Sequence, residues 1–200
     1  MAIQSIAVKA LRPTQIAVGK ILVKAKRKGL VERERKPQEL VDYILANPIR
    51  VVSGPNETHY IVDHHHLGLA LLKEKFKTAP VEVLADCSKL SITEFWATME
   101  GKQLVHPFDG KGKKCQISDI PKKLADIEDD PYRSLAGYVR QESGFSKTQT
   151  PYMEFTWADY YRPLISLKII RNNFHEAVQL AMKHAHDAAA AKLPGFRAKP

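Results

Sequence analysis

Residues 49–72 constrain the fold more than any other stretch of the chain. Ile49-Arg50-Val51-Val52 and Thr58 to Val62 are short runs separated by Ser53-Gly54-Pro55-Asn56-Glu57. That is a strand, a tight turn and a strand, most simply a β-hairpin. The second run ends in four polar, titratable residues, Asp63-His64-His65-His66, and then turns into the helical pattern Leu67-Gly68-Leu69-Ala70-Leu71-Leu72. A helix start has backbone N–H groups without intrahelical partners and carries a partial positive charge. It therefore suits anions, phosphate above all. Junctions of this kind are also where a rigid scaffold carries chemistry.

The flanking sequence extends the pattern. Ile3 to Leu11 alternates as a first strand, which Arg12-Pro13-Thr14-Gln15 ends, because proline removes a donor and restricts its predecessor. Ile16 to Lys28 reads as a helix stopped by Gly29, and a second helix starts near Pro37 and ends at Asn47-Pro48. The helix after His64 runs to Phe76, a β-branched strand follows at 81–84, and Ser91-Ile92-Thr93-Glu94 is a capping box. From Gly101 to Lys114 the chain is loop-like; its Gly-Lys-Gly-Lys-Lys run lacks the spacing of a phosphate-binding loop and reads as a surface turn. Beyond Pro121 the pattern is helical, and Leu164 to about Lys192 reads as one long helix with Ile170, Phe174, Val178, Ala181 and Ala185 on one stripe.

These readings predict an α/β (α+β) protein with two parts. Residues 1–105 form a core around a small mixed sheet, and residues 106–200 a helical extension packed on it that ends in the long helix. A hydrophobic content of 44% supports a real core. No apolar run is long enough to span a bilayer, and the N-terminus lacks the features of a signal peptide, so the expected location is the cytoplasm. Cys87 and Cys115 form neither a CxxC pair nor a disulfide framework, which argues against a thiolate zinc site. The net charge of +9 favours a phosphorylated small molecule or nucleic acid as partner. Much of it lies in one run that holds Lys24, Lys26, Arg27, Lys28, Arg33, Arg35 and Lys36. Such a run is a solvated face or a phosphate-binding patch. No aromatic residue interleaves it, which argues against a stacking platform for single strands.

Several residues could carry chemistry. Asp63 can act as general base, metal ligand or helix N-cap. Histidine can serve as acid, base or phosphate donor near neutral pH. Successive helical side chains diverge by about 100°, so the three rings cannot share one metal; two of them could join Asp63 in a site with open positions, but no fourth protein ligand is evident, and no protein metal ligand is assigned. One histidine at least should be structural, packed against a backbone carbonyl. Asp129-Asp130-Pro131 reads as an acidic helix start, while Arg133 and Arg140, seven apart on one helix face, would suit an anion. Glu154 and Asp159 are either partners of Arg162 or catalytic acids. Gln15 lies at a plausible site edge or stabilises a turn.

Four segments carry a resemblance: Leu11-Arg12-Pro13-Thr14-Gln15 with Val18-Gly19; Val62-Asp63-His64-His65-His66; Asp129-Asp130-Pro131-Tyr132-Arg133-Ser134-Leu135-Ala136; and Glu154-Phe155-x-Trp157-Ala158-Asp159-Tyr160-Tyr161-Arg162. With them the chain resembles the ParB/sulfiredoxin superfamily, and more closely its branch of ParB-like nucleases. The resemblance implies a ParB/sulfiredoxin-like sheet and a turn that binds nucleotide phosphate; branches of the superfamily perform phosphotransfer, nucleotide hydrolysis or DNA clamping. His64 stands in the glycine position of the family's G-x-x-R turn, Leu67 replaces the arginine and Ala70 keeps the small residue. His65 stands where sulfiredoxins carry the reactive cysteine, so that chemistry is excluded. No helix-turn-helix follows the core, which argues against a partition protein. The implied function is a phosphate-ester enzyme, a nuclease, nucleotide hydrolase or phosphotransferase, with a nucleotide and a divalent metal as the expected cofactors. Asp63, His65 and His66 are the candidate catalytic residues. His64, Arg12, Gln15, Arg133 and Arg140 are the candidates for holding phosphate, with Lys9 a further source of the charge missing at Leu67. The alternative is a non-enzymatic DNA- or nucleotide-binding module that uses the basic run.

Overall fold

A computed structural model describes residues 3–198 and divides into two compact units. The first holds the chain up to Val18 together with 23–109 and 113–128; the second holds 19–22, 110–112 and everything from Asp129 on. The first unit thus continues past the boundary expected at 105.

The first unit is built on a four-stranded mixed sheet: β1 (Ile3–Ala7), β3 (Ile49–Gly54), β4 (Thr58–Asp63) and β5 (Thr78–Asp86), in the order β1-β5-β3-β4. A two-residue strand, β2 (Ala17–Val18), lies outside this sheet. The hairpin is present, with Val51 opposite Ile61 and Val52 opposite Tyr60. Its helix α3 (His65–Lys73) carries the chain over to β5, which runs parallel to β3.

Alternation along the strands sorts the side chains onto two faces. Val51, Ile61 and Val81 share one apolar cluster with Leu67, Leu69 and Leu71 of α3. Val52, Tyr60 and Val62 face the other way, against Phe95 and Met99 of α4 (Ile92–Gly101). Helix α4 starts with the expected capping box, Ser91 and Glu94 each accepting from the other's backbone N–H. The free edge of β4 is covered: Arg12 donates its N–H to the His59 carbonyl at 2.9 Å, and Ile61 donates to the Arg12 carbonyl at 2.7 Å.

Some expected elements shift. Strand β1 ends at Ala7 in a single 3-10 turn, Val8–Ala10, which buries Val8. Helix α1 covers Lys20–Glu34 and runs through Gly29. A helical glycine costs only about 1 kcal/mol, which burial of the next residue, Leu30, offsets. Helix α2 (Pro37–Ala46) opens on its proline as expected.

The second unit packs α5 (Pro131–Gln141), α6 (Met153–Tyr161), α7 (Leu167–Asn172) and α8 (Phe174–His184) around Leu135, Val139, Phe145, Trp157 and Ala181. Phe145 and Trp157 stack with centroids 4.2 Å apart. The expected long helix is two helices. Asn173 breaks it, with φ −145° and ψ 77°, and its side chain accepts from the Glu176 N–H as an N-cap. The stripe survives the break, because Ile170, Val178, Ala181 and Ala185 are all buried in one cluster. Among the described residues no helix is long and apolar enough to cross a membrane.

Candidate functional site

The four polar residues from the end of β4 to the first turn of α3 do four different things. Asp63, exposed, accepts a hydrogen bond at 2.7 Å from the N–H of His64 and lies 3.8 Å from Arg50. It is not the N-cap: that position is His64, whose φ of 69° and ψ of 27° are left-handed. An L-residue there is strained by roughly 1–2 kcal/mol, and glycine is the residue that avoids the strain. The side chain of His64 turns back, with Nδ1 2.9 Å from the Pro48 carbonyl, so Nδ1 carries the proton and donates. His65 is only 2% exposed. Its Nε2 accepts from the Thr14 N–H at 3.2 Å, while the Thr14 hydroxyl donates to the Ile61 carbonyl at 2.7 Å. An Nε2 that accepts has no proton, so this ring is neutral in that arrangement. His66 remains half-exposed on the first turn of α3.

Two rings are thus committed to backbone groups, and the third points elsewhere on the helix. Among the described residues no group of three or more His, Cys, Asp or Glu could hold a metal ion. The donors at this turn do not fit a divalent cofactor. Leu67, which the resemblance sets in place of an arginine, is 2% exposed and lies in the apolar cluster under the sheet.

The other candidates separate. Arg133 and Arg140 belong to the second unit, and their anion is a protein carboxylate: Glu154 of α6 lies 3.6 Å from Arg133 and 2.9 Å from Arg140. Gln15 is buried and its backbone bridges that of His106. Lys9 is exposed on the 3-10 turn. Arg12 stays in the first unit and lines a cavity of about 260 Å³, together with Thr58, Tyr60, Trp96, Ser118 and Lys122. Burial lifts the Tyr60 hydroxyl above its ordinary pKa, although the Arg12 charge pulls the other way. This cavity opens on the α4 face of the sheet, the face opposite to α3. A signal for it exists in the sequence: period-2 alternation puts Thr58, Tyr60 and Val62 on one face, and the capping box fixes where Trp96 falls on α4.

Asp130, in the second unit, is fully buried. It caps α5 by accepting from the N–H groups of Tyr132 and Arg133, and it meets Arg162 at 2.6 Å. Arg162 also holds Asp159 at 2.8 Å and lies over the Tyr132 ring. Gly112, with φ of 79°, lets its backbone pass this guanidinium; a Cβ there would come within 2.6 Å of Arg162 Nε. Gly19 is needed for a similar reason, since a methyl would meet the Ser134 hydroxyl at 2.5 Å. Asp130 and Arg162 come from the third and fourth of the resembling segments, and together they form a buried ionic joint.

No curated protein is similar to the chain. Among solved structures, the crystal structure of protein Atu1540 from Agrobacterium tumefaciens is similar over 100% of both chains, with a TM-score of 0.91 and 40% identity. Residues 4–163 match the family described as "putative ParB-like nuclease". That stretch contains all four of the segments above and the left-handed His64. The chain therefore belongs to the ParB-like nuclease family.

Proposed function

We propose that this protein is a phosphate-ester enzyme acting on nucleotides or nucleic acid, and that it binds the phosphate at the Asp63–His66 turn. The observation that carries the reading is the left-handed His64. His64 holds a backbone conformation that glycine adopts without strain, at the position the resemblance assigns to the glycine of a phosphate turn, and strain of this kind clusters at functional sites. The first-turn amides of α3 then face the anion along the helix axis. His66, half-exposed on that turn, is the acid/base, and exposed Asp63 holds the turn through the His64 N–H. His65 is a positioning residue, because its accepting nitrogen is taken up by Thr14 in the interior.

The test is turnover of a nucleoside triphosphate and of a single-stranded oligonucleotide, followed by release of phosphate or of shortened products. His66→Ala should lower kcat/KM by about 10²–10⁴-fold, the usual range for loss of a general acid or base, with the melting temperature unchanged. A His66→Ala protein as active as the parent would overturn the reading.

A second reading rests on α1, where Lys24, Lys26 and Lys28 are exposed. Arg27 is paired with Glu74, and Arg33 lies over the Tyr43 ring 4.4 Å from its centroid, so the run offers less free charge than its composition suggests. As a DNA-binding surface it should show affinity that falls steeply with salt. Neutralising Lys24, Lys26 and Lys28 together should flatten that dependence.

A further inference from the structure

The cavity over β4 combines groups that one small ligand would have to satisfy at once. Arg12 and Lys122 line it, and among the described residues neither forms an ion pair. Two cations on a concave surface without a carboxylate between them favour an anion with more than one charged oxygen. The remaining wall is aromatic. Trp96 and Tyr60 stand edge to face with centroids 5.2 Å apart, and both pack on Phe95, which is fully buried. Buttressed rings of this kind offer a fixed π-face at little entropic cost. The Tyr60 hydroxyl makes no protein hydrogen bond among the described residues. Ser118 and Thr58 add further polar atoms to the lining.

The volume narrows the choice. At about 260 Å³ the cavity lies just below the ~300–1,000 Å³ of pockets that enclose drug-sized ligands. It has room for one nucleotide unit, but not for a dinucleotide. The backbone that forms its rim is rigid, because Arg12 is pinned to β4 through both its N–H and its carbonyl. Two residues on, Thr14 is the group that holds His65. Two extended residues span at most about 7 Å, so the cavity and the histidine turn are joined through one short, doubly tethered segment.

We propose that this cavity is a nucleotide subsite: it takes one 5′-phosphorylated nucleoside, the base stacked on Trp96 and the phosphate held by Arg12 and Lys122. The ligand class rests on the phosphate-ester reading above; the presence of an anion-plus-aromatic site does not. A free mononucleotide and the 5′ end of a single strand present the same chemistry.

The experiment is a fluorescence and calorimetric titration of the intact protein with adenosine 5′-monophosphate, adenosine, ribose 5-phosphate and a short 5′-phosphorylated single strand. Of the chain's two tryptophans, Trp157 is fully buried and Trp96 lines the cavity, so quenching reports the site. The monophosphate should bind at least about tenfold more tightly than adenosine or ribose 5-phosphate, each of which lacks half of the recognised chemistry. Arg12→Gln and, separately, Lys122→Gln should each weaken it by about tenfold, the equivalent of one charge-assisted hydrogen bond. Trp96→Leu should weaken it by about fivefold or more. Lys122 is exposed, so its variant stays informative even where Arg12→Gln affects folding. Strand affinity that exceeds mononucleotide affinity and depends on the same residues identifies nucleic acid as the source; the reverse order identifies the free nucleotide. Equal binding of adenosine and the monophosphate, equal binding of ribose 5-phosphate, or no binding at millimolar ligand overturns the subsite. His66→Ala should still bind the monophosphate. Mononucleotide binding by a parent protein that turns over neither test substrate counts against the reaction proposed at the turn and leaves the subsite standing.

Discussion

The histidine turn and the Asp130–Arg162 joint both bury polar groups, and they do so with opposite chemistry. At the turn the buried contacts are neutral: an imidazole nitrogen accepts from Thr14, and a second ring donates to the Pro48 carbonyl. At the joint they are ionic: a fully buried carboxylate meets a guanidinium and two backbone N–H groups. Asp63 and His66 stay at the surface beside these contacts. An ionic contact consumes its own charges: Arg162 is shared between Asp130 and Asp159, and Glu154 takes up Arg133 and Arg140. A cluster of charged residues in a sequence is therefore a poor guide to a binding site when the charges can pair internally.

Substitutions sharpen this contrast, and the largest effect belongs to the ionic joint. Arg162→Met strands the Asp130 carboxylate in the interior and should cost about 3–5 kcal/mol, read from urea denaturation. Its pH dependence is distinctive. Burial already lifts the Asp130 carboxyl above its ordinary pKa, against the pull of Arg162 and the two amides. A folded pKa above the unfolded one means that the contribution is present at low pH and is lost as pH rises through the folded value. Removing Arg162 lifts the carboxyl further, so the variant should regain stability as pH falls from neutral toward 5. A variant equally unstable at both pH values would show that the joint is held by packing and not by charge.

The next effect tests the neutral cluster. His65→Phe keeps the bulk but leaves the Thr14 N–H buried without its acceptor, and should cost about 1–3 kcal/mol. It should also slow turnover through the displaced turn while leaving affinity for mononucleotide within about twofold. Fully retained stability would mean that the Thr14–His65 contact contributes nothing to the fold. The smallest effect lies at the left-handed residue. His64→Gly relieves the backbone while losing the bond to Pro48, so the two changes nearly cancel; His64→Ala loses the bond and keeps the strain. The glycine variant should be the more stable of the two by about 1 kcal/mol, measured by thermal melts. The opposite order would remove the conformational argument for the turn.

Much of the first unit is legible in the sequence. The hairpin, the helix after the histidines, the Pro37 helix start and the Ser91 capping box are all local patterns, governed by turn chemistry and capping within a few residues. Where local signals misled, longer-range burial had won: Gly29 failed to stop α1 because Leu30 is buried. The break at Asn173 is invisible to periodicity because the apolar stripe continues across it. The candidate site was legible in part. Asp63 to His66 stand out in the sequence, but nothing in their order tells that His65 faces inward toward Thr14, fifty-one residues away along the chain. Nor could Arg12 be joined to Tyr60, Trp96 and Lys122, which meet only when β4, α4 and the loop after it fold together.

By itself, the sequence determined the elements, the family and the place of the polar turn, because periodicity, capping and turn preference act over short stretches of chain. The tertiary structure decided which of those polar groups are spent. It paired Arg133, Arg140 and Arg162 with carboxylates, sent Leu67 into the core and left Arg12 facing a cavity. Charge pairing and burial depend on partners far apart along the chain, and only the folded chain brings them within reach. The histidine turn owes its shape to both: four residues set it locally, and Pro48 and Thr14 hold it from a distance.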